Sequence, residues 1–366
     1  MKSRKVAIIT GADSGIGTWL AKHLHNQNYR VAICGHGKEE QYDDKDVRPK
    51  NGKSLGARLA DSLDGSGGTA MSLQCEVDSF ESQKKIFEQV WYRWNRIDII
   101  IAHSSFVDRR SVYSFGRRDV SVENPPSEPD MSRTDTDFKG VIYTTTLATH
   151  FMRQNPHRKG GKIIVTGSMI GTHPSPTFPE YCAAKAAVHQ WVRAMGPVLK
   201  LNENITMNCV MPRAIEAGAL QDFSKVVQPE QRILMSNIMN GYDRFLNDHS
   251  VTGQVIEAAN GHLIDEHLPH YESEHFAGLS EKIESLLKRR FKVANRDQSG
   301  LPSDLQISSN SSKASITDVY PAAKDAGFPN FKTFLNAYGL EISYDDDVIE
   351  GQKILGDLGY GVCPRR

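Results

Sequence analysis

Tyr181 and Lys185 stand four residues apart in Tyr181-Cys182-Ala183-Ala184-Lys185, and Tyr181 follows Ser168 by thirteen residues. Residues four apart share one face of a helix. With a reference pKa of about 10, a tyrosine is a poor acid–base catalyst near neutrality. A neighbouring ammonium stabilises the phenolate, which makes proton exchange with an alcohol or carbonyl oxygen feasible. Ser168 ends the apolar run Ile163-Ile164-Val165-Thr166-Gly167 and can hydrogen-bond that same oxygen, stabilising developing charge. Tyr–Lys pairs at this spacing are common on helix surfaces, but the strand before Ser168 and the fixed interval set this pair apart. The chemistry it suits is redox at a carbonyl or alcohol.

Such chemistry needs a hydride carrier, and the N-terminus has a turn suited to one: Thr10-Gly11-Ala12-Asp13-Ser14-Gly15-Ile16-Gly17. Gly11 permits a tight turn out of a strand, Gly15 lets backbone N–H groups approach a pyrophosphate, and Gly17 allows close helix–sheet packing. The helix N-terminus adds positive potential for phosphates. Asp13, Ser14 and Ile16 complete the set of candidate contacts. The second strand ends Cys34-Gly35-His36-Gly37-Lys38, without the acid that holds the ribose hydroxyls in NAD enzymes. His36 and Lys38 instead favour NADP, although Glu39 and Glu40 follow and NAD stays open. Glu76, with Val77 beside it, either accepts from the adenine amino group or caps the next turn.

The elements that must position these residues alternate along the chain. Apolar runs at Val6–Thr10, Val31–Cys34, Ala70–Gln74, Ile97–Ala102, Lys162–Thr166, Ile205–Val210 and Gly253–Ala258 read as strands. Helical patterns intervene at 15–27, 54–63, 79–94, 135–154, 180–200 and 229–246. The expected fold is α/β: a Rossmann-like, doubly wound parallel sheet of about seven strands, helices on both faces, and ligands at the strands' carboxyl ends. Residues 1–270 form this domain, 271–315 a helix and flexible linker, and 316–366 a small helical appendage too short to bury an independent core securely. Two polar stretches, 37–53 and 104–134, look like insertions. Arg109, Arg110, Arg117 and Arg118 in the second form either a solvated rim or a positive lip.

Taken together, the Thr10–Gly17 turn, Ser168, Tyr181 with Lys185, and Val251-Thr252-Gly253-Gln254 resemble the short-chain dehydrogenase/reductase family over roughly residues 4–262. The resemblance implies that the serine and tyrosine bind the reacting oxygen and that the lysine also holds the nicotinamide ribose. It implies an asparagine-anchored proton relay through water, and homo-oligomers built through helices. Four positions depart from the family pattern. Asp137 stands where the asparagine falls, leaving its backbone carbonyl to anchor the relay water. Ala102-His103-Ser104-Ser105 replaces an Asn-Asn-Ala-Gly segment, Pro212-Arg213 replaces Pro-Gly, and Ala217 falls near the threonine that steadies the carboxamide. His103, Pro212 and Ile215 are candidate cofactor neighbours, with a structural role also open for His103 and Arg213.

Lysine plus arginine and aspartate plus glutamate both number 44, so nothing in the global charge asks for nucleic acid or an anionic membrane. The five cysteines form no CxxC pair, which suggests neither a metal site nor a disulfide framework. With no signal-peptide pattern and no run near the roughly 18 apolar residues of a membrane span, the cytoplasm is the expected location. Phe223, Leu234, Met235, Ile238, Met239 and Phe245 supply either apolar substrate contacts or a helix face packed on the core. The primary expectation is an NADP-dependent oxidoreductase acting on a ketone or secondary alcohol of a fairly large apolar molecule. Non-redox cyclisation, isomerisation or dehydration in a remodelled pocket is the alternative, and nucleotide sensing with signalling through the tail is a third reading.

Overall fold

The computed structural model describes residues 4–13, 15–36, 53–66, 68–104, 122, 128–156, 158–212, 233–259, 261–267, 320–337 and 345–357. Ser14, Lys38, Ile215, Arg213, Ala217, Phe223 and the four arginines between 109 and 118 lie outside these residues. The chain divides into two compact units, Met1–Leu268 and Pro269–Arg366.

The first unit is built on eight strands: β1 (Val6–Ile9), β2 (Arg30–Gly35), β3 (Ala70–Gln74), β4 (Ile99–Ala102), β5 (Gly161–Thr166), β6 (Ile205–Pro212), β7 (Val255–Ala258) and β8 (Leu263–Asp265). They form one sheet in the order β3-β2-β1-β4-β5-β6-β7-β8. The first seven pair in parallel, and β8 pairs antiparallel to β7, with Glu257 opposite Ile264. β8 is an addition to the seven expected strands. Three residues of mixed polarity, half-exposed at a sheet edge, carry too little alternation to be read from sequence.

The sheet order reverses between β1 and β4, where Ala7 lies opposite both Val31 and Ile99. This is the switch point at which doubly wound sheets open a crevice for ligands. Continuous apolar strands are needed because both faces are covered. On one face, Val6 and Ile8 join α3 (Phe80–Trp94), α4 (Gly140–Met152) and α5 (Pro179–Glu203) in a core containing Phe87, Val90, Leu147, Val188 and Val192. On the other, Ala7 and Ile9 join α1 (Gly15–Asn26), α2 (Leu55–Leu63) and α6 (Met235–Asn247) around Leu20, Leu24, Tyr242 and Phe245. Ile238, Met239 and Phe245 are therefore core residues packed on the sheet, whereas Leu234 is 67 % exposed.

Local chemistry sets the helix ends. Ser79 caps α3 by accepting from the N–H of Ser82, and the helix stops at Asn95 in the left-handed region. Pro179 opens α5, where its missing N–H costs nothing, and left-handed Asn204 closes it. The helix expected over 135–154 is segmented: a short turn (Ser132–Thr134), a π-helical stretch (Asp135–Lys139), and then α4. Wide turns of this kind occur often at functional sites, and this one holds Asp137.

The second unit contains α7 (Tyr320–Asp325), α8 (Phe331–Ala337) and α9 (Asp345–Asp357). They bury their own cluster: Ala322, Ala323, Phe331, Phe334, Leu335, Val348, Ile354 and Leu355. The rings of Phe331 and Phe334 stack at 5.8 Å. Gly351 packs against Leu335 and Phe331, where an added Cβ would make the Leu335 side chain shift. The tail thus has an apolar core of its own, although it is only a short segment of the chain.

Candidate active site

The nucleotide turn leaves β1 at the switch point. Thr10 Oγ1 donates to the His103 carbonyl at 2.8 Å and accepts from the His103 N–H at 3.0 Å, which stitches the ends of β1 and β4 together. Gly11 has φ +59°, and a Cβ there would come within 2.7 Å of the same carbonyl. Gly17 packs so tightly that a Cβ would overlap the Gly11 backbone. Gly15 differs: φ is +45° and nothing lies within 4 Å of where a Cβ would be. That open space, at the N-terminus of α1, is where a phosphate can meet backbone N–H groups. Asp13 lies across the end of β2, its carboxyl group against Gly35. The His36 Nδ1 is buried without a partner. Ser82 Oγ accepts from the Glu76 N–H at 3.0 Å, and the Val77 carbonyl packs against Gly140, so these two residues shape the loop after β3.

Tyr181 in the first turn of α5 and Lys185 in the second are both buried. Lys185 Nζ lies 5.4 Å from the centre of the Tyr181 ring. It donates to the carbonyls of Ser104 and Thr166, 3.2 Å each, and to Asp137 Oδ1 at 3.4 Å. The Ser104 hydroxyl donates to the same carboxylate oxygen at 2.7 Å. Asp137 is wholly buried and its Oδ2 has no partner. Burial raises its pKa, and the Lys185 ammonium and Ser104 hydroxyl offset that only in part. For Lys185, burial works against the charge, but Asp137 and then Tyr181 more than reverse it, and its pKa is raised. Glu180, next to Tyr181, accepts from the N–H groups of Arg133 and Thr134 at 3.1 and 3.0 Å, anchoring the turn that presents Asp137.

The Asp137 side chain itself pairs with Lys185, so its contribution is not limited to a backbone carbonyl. His103 is buried, bonded through Nδ1 to Thr166 Oγ1 at 3.1 Å, and its pKa is pushed down to about 3 by burial and then by Lys185. A neutral, satisfied imidazole fits the structural role left open for it. Ser168 caps the turn Met169–Gly171, its Oγ accepting from the Ile170 N–H at 3.4 Å. Pro212 ends β6, buried opposite Ala258.

Sequence reasoning missed Ser104, Thr166 and His189. His189 Nε2 accepts from the Ser168 N–H at 3.5 Å, and a Cβ on Gly167 or Gly171 would strike its ring. Burial, opposed by Glu266, brings its pKa to about 4. Its place four residues after Lys185, on the same helix face, was a signal that could have found it. Glu266, just past β8, fixes this corner by accepting from Arg193 at 2.7 Å and from the Thr172 hydroxyl.

These residues fit a nicotinamide dinucleotide: an open turn at Gly15, buried unpaired polar atoms on Asp137 and His36, and a Tyr–Lys pair on the β4–β5 side of the switch point. A family model described as short chain dehydrogenase matches residues 5–227. The chain belongs to the short-chain dehydrogenase/reductase family. The short-chain dehydrogenase/reductase prx6 of Penicillium rubens is 33% identical over 308 residues, 81% of this chain and 96% of that protein. Elsinochrome reductase 1 of Elsinoe fawcettii is 25% identical, covering 70% and 85%. A short-chain type dehydrogenase/reductase structure from Mycobacterium marinum superimposes with a TM-score of 0.54 at 25% identity, covering 70% of this chain and 93% of that one. Short-chain dehydrogenase/reductases are enzymes that bind NAD or NADP and act on small molecules. Among the described residues no helix is long and apolar enough to cross a membrane.

Proposed function

We propose that the enzyme interconverts a ketone and a secondary alcohol on a fairly large apolar molecule, with Tyr181 as general acid in reduction and general base in oxidation. The observation that carries this reading is the buried Tyr181–Lys185–Asp137 array, with Lys185 Nζ 5.4 Å from the phenol ring. The bound nicotinamide supplies or accepts the hydride. Tyr181 gives its phenolic proton to the substrate oxygen, and the Lys185 ammonium stabilises the phenolate left behind. Asp137 and the carbonyls of Ser104 and Thr166 hold Lys185 in place, so that its charge is not free to swing away. Ser168 donates to the same substrate oxygen, on a turn that His189 supports from beneath. A relative named as a reductase favours the reductive direction. The apolar substrate body rests on Leu234, exposed just before α6. A cytoplasmic homo-oligomer completes the proposal, and sedimentation of the purified protein tests the assembly.

NADP was favoured because β2 ends without an acid. Asp13 brings a carboxylate to that strand end from the turn, which bears on the choice.

The deciding experiment is Tyr181→Phe assayed with NADH, NADPH and a panel of ketones. Turnover falls by about 10²–10⁴-fold, the usual worth of a general acid, while nucleotide binding persists. Equal turnover in the variant would sink the assignment. A non-redox isomerisation or dehydration also draws on one observation, the buried Asp137 carboxylate with a free Oδ2 as a candidate base. Substrate conversion without change in nicotinamide absorbance would favour it.

A further inference from the structure

β2 ends at Gly35, so no side chain of its own strand can hold an adenosine ribose there. A carboxylate reaches the same place by another route. A Cβ on Gly35 would collide with the carboxyl group of Asp13, which therefore occupies the volume that a strand-end side chain would fill. The turn is drawn over β2 by the Ala12 N–H, which donates to the Cys34 carbonyl at 3.0 Å. A Cβ on Gly56, in the first turn of α2, would lie 3.8 Å from the Asp13 Cβ, at ordinary contact distance. Gly35 leaves room for this acid. Its charge reaches the strands beneath: after burial, it is among the groups that raise the thiol pKa of Cys34 and Cys75.

We infer that Asp13 does the work of the absent strand-end acid, accepting hydrogen bonds from the adenosine ribose hydroxyls and repelling a 2′-phosphate, so that this enzyme selects NAD(H) over NADP(H). The inference rests on the dinucleotide reading proposed above, and it reverses the expectation drawn from the β2 sequence. That expectation looked for the acid on the strand alone. A ribose diol offers two donors to a carboxylate in charge-assisted bonds, whereas a phosphate dianion beside it meets like charge in a partly desolvated crevice.

Calorimetric titration of the full chain with ADP-ribose and with its 2′-phosphate tests the adenosine end without any contribution from the nicotinamide. NADH and NADPH fluorescence titrations give the same comparison for whole cofactors. The unphosphorylated member of each pair binds about 10–100-fold more tightly, the worth of charged hydrogen bonds. Asp13→Asn narrows that ratio, and the double variant Asp13→Ser/Gly35→Asp, which moves the acid onto the strand, restores it. Tighter binding of the phosphorylated ligands by the unmodified enzyme, or a ratio unchanged in Asp13→Asn, overturns the inference and leaves dinucleotide binding intact. Binding of neither ligand pair overturns both.

Discussion

Lys185 carries a positive charge inside the protein, and two backbone carbonyls and one carboxylate keep it there. Removing a partner from such a pair leaves an uncompensated buried charge, typically costing about 3–5 kcal/mol. Asp137→Ala should therefore lower the unfolding free energy by about that much, and Asp137→Asn by less, since an amide oxygen still accepts from Lys185. Urea denaturation of the two variants checks the order. The buried histidines make a second prediction. His103 and His189 protonate near pH 3 and 4 in the folded chain, but near 6.5 when unfolded. Between those values the unfolded chain binds more protons, so stability present above pH 6.5 is lost as the pH falls through and below it. Each of these histidines costs roughly 1.4 kcal/mol per pH unit in that window. Denaturation midpoints should drop between pH 7.5 and 5.5, and His103→Asn should flatten the drop. A pH-independent midpoint in the unmodified enzyme would contradict the burial argument.

At the scale of elements, the turn between β1 and α1 separates packing from binding. Gly17→Ala places a methyl group on the Gly11 backbone and should destabilise the fold by about 1–3 kcal/mol or more, as overpacking does. Gly15→Ala meets no neighbour, yet its φ of +45° imposes a strain of about 1–2 kcal/mol. The added methyl also enters the open space proposed for phosphate, so nucleotide affinity should fall further than stability does. Thermal melts and nucleotide titrations of both variants separate the two effects. The π-helical stretch before α4 matters in the same way: Glu180 ties its entry to the first turn of α5, so the acid and the lysine it serves move as one body. Strands and helices here were legible because their apolar periods are strong. β8 was not, since three residues at an edge leave no period to read.

On the scale of the whole molecule, every residue assigned to the site lies within Met1–Leu268, and the second unit buries its own cluster around Phe331 and Phe334. A compact unit with its own core can fold alone. A chain ending at Leu268 should thus keep its nucleotide affinity and its turnover, measured against the full-length enzyme. A large loss of turnover with intact folding would show that the tail contributes to the site.

Local patterns were enough for the Tyr181–Lys185 face, the Gly11–Gly15–Gly17 turn and the doubly wound sheet, because each is set by short-range spacing and by burial period. Which acid faces which charge was settled only in three dimensions. Asp137 reaches Lys185 across 48 positions, and Asp13 reaches Gly35 from a different element. Electrostatic partners depend on distance in space and on the loss of water around them. Neither quantity is written in neighbouring letters of the chain; both arise when α5 packs beside the stretch before α4 and the turn folds across β2.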